Sequence, residues 1–140
     1  MQRWILYAFF SAGFAGLTAV IAKQGLAGIS AELGLTIRTL FVCVFVIMFA
    51  LIAVPSGEFK TLQKMNYIWL GLSGLATAGS WIFYYKALKD GDIATVALID
   101  KTSVVIAILL AWWFLKEAVT LRITLGALLI IAGLLVISKK

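Results

Sequence analysis

The sequence predicts an all-α, polytopic membrane protein with five transmembrane helices, and three observations predict it. Of 140 residues, 64% are apolar and 13% charged, where soluble domains average about 45–50% and about 25%. Mean hydropathy is +1.10, and at this size a soluble fold has too much surface for so few charges to keep wet. Five apolar runs each approach the roughly 20 residues that cross ~30 Å of hydrocarbon. The connections between them are short, so residues 1–140 read as a single transmembrane domain.

The first span covers residues 4–22 and is ended by Lys23-Gln24-Gly25. Arg3 precedes it as a basic residue precedes the apolar core of a signal peptide. The run is too long for that core and four more follow, so it reads as a retained helix. The second span, residues 33–54, stops at Pro55-Ser56-Gly57, where Pro and Gly cannot continue a helix. The third covers 67–88. The fourth, 93–115, is entered through Asp90-Gly91-Asp92, a turn followed by a good N-cap residue. The fifth covers 121–137, with Thr120 as its cap and Lys139-Lys140 beyond it.

Composition also excludes functions. There is no His and one Cys, Cys43, so disulfide frameworks, Cys/His zinc sites and His-dependent triads are ruled out. Few nucleophile–base pairs remain, so no enzyme, catalytic residue, metal or cofactor is expected. The net charge of +6 is scattered through the chain. That is the pattern of membrane-protein loops and not of a nucleic-acid footprint. Cys43 reads as a packed, small apolar residue.

Counting Lys and Arg on each side leaves orientation open. One side holds Arg3, Lys60, Lys64, Lys116 and Arg122; the other holds Lys23, Lys86, Lys89, Lys139 and Lys140. Five against five gives the positive-inside rule no preference. Either another feature decides, or copies insert both ways up. Trp4, Trp69, Trp112 and Trp113 fall near the first side, as an interfacial belt does, whereas Trp81 lies well inside span three.

Charges within spans are expensive and functional by default. Arg38 costs span two about 3 kcal/mol against about −4 to −8 kcal/mol from its Leu, Ile, Val and Phe residues, and it is near enough to the end to snorkel. Span four carries Asp100 and Lys101, together costing about 5–7 kcal/mol against about −4 to −7 kcal/mol. That balance is close to zero, so protein or water has to surround them. Neighbouring helical residues point about 100° apart, so Asp100 and Lys101 are not expected to pair. Asp100 shares a face with Ser103, Ala107 and Ala111, a small and polar stripe suited to facing other helices. Arg38, Trp81, Tyr84, Tyr85, Lys86, Asp100 and Lys101 are all expected in one half of the bilayer, as part of a polar cavity. Tyr85 alone among them reads best as an interfacial residue. Small-residue stripes, Ser11/Ala15/Ala19 on span one and Gly71/Gly74/Ala78 on span three, suit close packing or sliding.

The chain resembles the five-helix bacterial/archaeal transporters of the drug/metabolite transporter superfamily, which are single EamA-type domains. The residues that carry the resemblance are 11–23 (SAGFAGLTAVIAK), 37–40 (IRTL), 73–92 (SGLATAGSWIFYYKALKDGD), 96–105 (VALIDKTSVV) and 109–120 (LLAWWFLKEAVT). The resemblance implies half of an inverted-repeat, ten-helix transporter architecture. It implies a secondary carrier of a small metabolite or drug-like substrate in the cell (inner) membrane, completed as a homodimer of oppositely inserted copies. Asp100 would exchange a proton or counter-ion, Arg38 and Lys86 would tune its charge, and Trp81 with Tyr84 would form a stackable substrate wall. Lys101 and Ser103 complete the expected cavity. The alternatives are a lipid or lipid-linked-sugar flippase, or a non-transporting membrane assembly subunit.

Overall fold

The computed structural model describes residues 2–138 and is all-helical among them. By contact the chain divides into two compact units, Met1–Asp90 and Gly91–Lys140. The first holds α1 (Arg3–Gly25), α2 (Ala31–Ala53) and α3 (Lys64–Asp90), with a short 3-10 turn, Glu58–Thr61, between α2 and α3. The second holds α4 (Ile93–Asp100), α5 (Thr102–Phe114) and α6 (Leu121–Ser138). Arg3–Gly25, Ala31–Ala53 and Ile93–Phe114 are each long and apolar enough to cross a membrane. Lys139 and Lys140, counted above for orientation, lie outside the described residues.

In the first unit, α1 ends where Gly28 takes φ +74°, a left-handed conformation open to glycine at no steric cost. Ser30 then caps α2, its side chain accepting from Leu33 N–H at 3.2 Å, and Glu32 in the first turn suits the positive helix end. Leu26 plugs this corner. It is 2% exposed and sits on Gly34 so closely that a Cβ at Gly34 would collide with its Cδ2. Pro55 ends α2 by holding Val54 extended (φ −103°, ψ 112°). At 27 residues, α3 is about 40 Å long and exceeds the hydrocarbon thickness. It starts three residues earlier than the sequence pattern predicts, because Asn66 Oδ1 accepts from Gln63 N–H at 3.1 Å and closes its first turn.

The α2–α3 pair is antiparallel. Glu32 lies beside Lys86 and Arg38 beside Trp81, so advancing along α2 retreats along α3. α1 meets α3 at their shared C-terminal end. There Lys23 Nζ donates to the carbonyls of Leu88 (2.6 Å) and Lys89 (3.1 Å), and Lys89 Nζ donates to Leu26 O (2.9 Å).

In the second unit, Asp92 caps α4 as expected, accepting from Thr95 N–H at 2.8 Å. Thr120 caps α6 in the same way, accepting from Ile123 N–H at 3.4 Å. The fourth span, expected over 93–115, runs as a helix from Ile93 to Phe114. It tightens at Lys101, which keeps helical dihedrals (φ −67°, ψ −10°) while Lys101 N–H reaches back to Leu98 O (3.1 Å) and Val104 N–H to Lys101 O (3.1 Å). Both are three-residue steps, which tighten the chain locally in 3-10 fashion. Thr102 Oγ1 donates to Ile99 O at 2.6 Å and satisfies a carbonyl beside this tightened turn.

Apolar side chains are mostly exposed in this fold: Phe9, Phe45, Leu51 and Ile52 are 64–86% exposed. Water would penalise such surface heavily, whereas lipid tails and other helices do not. Within the small-residue stripes Ala19 is buried. Gly13, Gly16, Gly71, Gly74, Gly126 and Gly133 have open space where a Cβ would stand.

Candidate functional site

Arg38 lies seven residues into α2, about 10 Å along the helix from its start. Its guanidinium carbon lies 4.3 Å from the centre of the Trp81 ring and 5.8 Å from that of Tyr85. Trp81 and Tyr85 are four residues apart on α3 and therefore share a face. Cation–π attraction is strongest over tryptophan and grows when the cation is desolvated, which explains why the side chain folds inward. Attraction to a ring spends none of the guanidinium's in-plane N–H donors on a hydrogen-bond acceptor. Nη1 is buried and has no hydrogen-bond partner among the described residues.

Tyr85 is the residue that the sequence misplaces. It is 3% exposed and belongs to this cluster, not to an interfacial belt. The signal for it is the i, i+4 spacing from Trp81. Tyr84, expected beside Trp81, packs edge-on against Tyr85 with ring centres 6.4 Å apart. Lys86 is engaged by Glu32 at 3.3 Å, a pairing that no local sequence pattern signals. Glu32 is near the start of α2 and Lys86 near the end of α3, and antiparallel pairing is what brings such positions together.

Two hollows flank α2. One, of about 500 Å³, is lined by α1, the α1–α2 corner and α2, including Ile21, Leu26, Ile37, Arg38, Phe41 and Tyr85. The other, of about 870 Å³, runs between α2 and α3 over several turns and is lined by Thr39, Val46, Ser73, Thr77 and Trp81 among others. Cys43 lines this groove and is exposed, not packed as expected.

In the second unit, Lys101 Nζ lies 3.5 Å from Asp100 Oδ2, with the side chains 55% and 37% exposed. This corrects the expectation that neighbours on a helix point too far apart to pair. The backbone still turns them apart, but the Lys101 side chain is long and flexible enough to swing back to the neighbouring carboxylate. Ser103 follows in the first turn of α5 and is exposed.

Comparison with known proteins decides the class of molecule. The model of the EamA-like transporter family matches residues 2–139. The chain belongs to the EamA-like transporter family. A relative from Sinorhizobium sp, named an uncharacterized transporter in the cobO 3' region, is 39% identical over 140 residues. That match covers 98% of this chain and 97% of the relative. No solved structure matches. Membership in the EamA-like family, with its apolar helices, makes the chain an integral membrane protein and a transporter.

Proposed function

We propose that this EamA-family transporter is a secondary carrier of a small metabolite or drug-like molecule, working by alternating access as an antiparallel homodimer in a bacterial or archaeal cell membrane. The observation that carries the reading is the part-exposed ion pair of Asp100 and Lys101, held at a local tightening within an apolar span. Charges inside spans are costly and mark transport pathways. In this reading Asp100 exchanges a proton or counter-ion, Lys101 holds it between exchanges, and Ser103 lines the same helix face. Arg38, Trp81 and Tyr84, with Lys86 nearby, belong to the substrate-binding part of the first unit. An odd number of spans and an even tally of loop charges both support pairing with an inverted copy.

Asp100→Asn is the test. It removes the exchangeable charge and keeps the shape, so uptake driven by a pH or ion gradient in proteoliposomes should be lost while assembly persists. Unchanged gradient-driven uptake overturns the assignment. One observation favours a second reading, a lipid or lipid-linked-sugar flippase: the apolar α2–α3 groove of about 870 Å³ has the shape to receive a chain. Competition by lipid headgroups in the same assay would select that reading over a soluble substrate.

A further inference from the structure

We propose that Arg38 and the hollow beside it bind a monoanionic organic carboxylate with an apolar body; this rests on the transporter reading above and names its substrate class. Arg38 is a permanent cation placed inside a span, with Nη1 desolvated and unpartnered among the described residues. Its guanidinium carbon lies over the Trp81 ring, 4.3 Å from the centre. A ring accepts no in-plane hydrogen bond, and the chemistry that matches the guanidinium's fork of N–H donors is a carboxylate taken edge-on.

The neighbouring groups select the charge. The acidic residue of the first unit that pairs on this helix pair, Glu32, is taken by Lys86 at 3.3 Å. Lys23 and Lys89 donate to main-chain carbonyls at the helix ends. Arg38 is thus, among the described residues, the one charged side chain that lines the hollow, and one cation balances one negative charge. A dianionic phosphate would keep half its charge uncompensated in an apolar setting, which is costly.

The lining selects the body. The hollow holds about 500 Å³, within the usual range for small-molecule sites. Ile21, Leu26, Ile29, Ile37, Phe41 and Tyr85 form its walls. Of its two side-chain hydroxyls, that of Thr18 is spent on Phe14 O at 2.8 Å and the other belongs to Tyr85. A ligand therefore meets one anion-binding fork, a phenol, and otherwise hydrocarbon and aromatic surface.

The test uses the full chain in phosphatidylcholine nanodiscs, with 3-phenylpropionate and its uncharged amide as calorimetric probes. A charge-assisted pair at a desolvated site predicts that the acid binds roughly ten- to hundred-fold more tightly than the amide. Arg38→Gln should erase that ratio, and Arg38→Lys should leave an intermediate one. Equal binding of acid and amide by the unaltered protein overturns the proposal without any variant. So does a ratio that survives Arg38→Gln. Repeating the titration in phosphatidylglycerol discs, at ionic strength high enough to screen their surface charge, separates a dissolved acid from a lipid headgroup. Unchanged acid affinity supports the proposal, and more than ten-fold loss assigns the fork to lipid phosphodiester and overturns it. Discrimination of acid from amide with no flux of any solute would sink the transporter reading alone. Gradient-driven uptake that requires Asp100, with no such discrimination, would sink this site alone.

Discussion

Lys23 and Lys89 each close the other's helix. The ammonium group of Lys23, in the last turn of α1, donates to the carbonyls of Leu88 and Lys89 at the end of α3; that of Lys89 donates to Leu26 O at the end of α1. Helix C-termini carry unpaired carbonyls and partial negative charge, so each lysine satisfies both needs of its neighbour. Lys23→Met should cost about 2 kcal/mol and Lys89→Met about 1 kcal/mol, since charged hydrogen bonds contribute about 1.5–3 kcal/mol and part-exposed ones less. The double variant should cost less than the sum, because both act on one junction. Thermal unfolding in detergent, with hydrogen exchange over residues 85–90 as a local readout, checks this. Additive losses would mean that the two contacts are independent.

A second prediction concerns the corner between α1 and α2. Adding a methyl group at Gly34 drives it into Leu26, which is fully buried and has little freedom to retreat. Overpacking costs about 1–3 kcal/mol, and replacing a helical glycine by alanine returns about 1 kcal/mol. Gly34→Ala should therefore destabilise by up to about 2 kcal/mol. Leu26→Ala alone should cost about 2–5 kcal/mol. In the double variant the new methyl enters the space that Leu26 vacates, so thermal melts should show it less damaged than Leu26→Ala.

The helices and their ends were legible because their causes are local. Asp92, Thr120 and Pro55 act where the sequence places them. What escaped is non-local. The Glu32–Lys86 pair depends on the register between α2 and α3, and a single sequence carries no direct statement of register. Tyr85 was half legible: its spacing from Trp81 puts both on one face, but only the position of Arg38 shows which face is occupied. The local tightening at Lys101 had a different obstacle. No Pro or Gly stands there, so the hydrophobic pattern shows only the continuous span.

Lys116 gives a third prediction. It holds φ +57° between α5 and α6, in the left-handed region that costs a side-chain-bearing residue about 1–2 kcal/mol. Glu117 N–H donates to Ala111 O at 3.3 Å and helps hold the turn. Lys116→Gly removes the steric cost and adds unfolded-state entropy, a net gain of about 0.5–1 kcal/mol. Lys116→Val, branched at Cβ, should lose about 1–2 kcal/mol. Melting temperatures that rank Val above Gly would show that the turn relaxes instead.

Orientation supplies the last prediction, and Lys116 is one of its counters. Five basic residues on each side leave insertion undecided by charge, and each added or removed loop cation acts directly on that balance. A reporter fused to the C-terminus of the unaltered chain should therefore read from both sides of the membrane. Ser56→Lys with Glu58→Lys adds two cations to the α2–α3 loop and should collapse the signal to the side that puts this loop in the cytoplasm. Lys60→Gln with Lys64→Gln should collapse it to the opposite side. If the working unit pairs inverted copies, each biased variant alone has no inverted partner and should lose transport. Co-expression of the two should restore it, because each then supplies the orientation that the other lacks. A single biased variant that transports as well as the unaltered chain would show that inverted pairing is not needed.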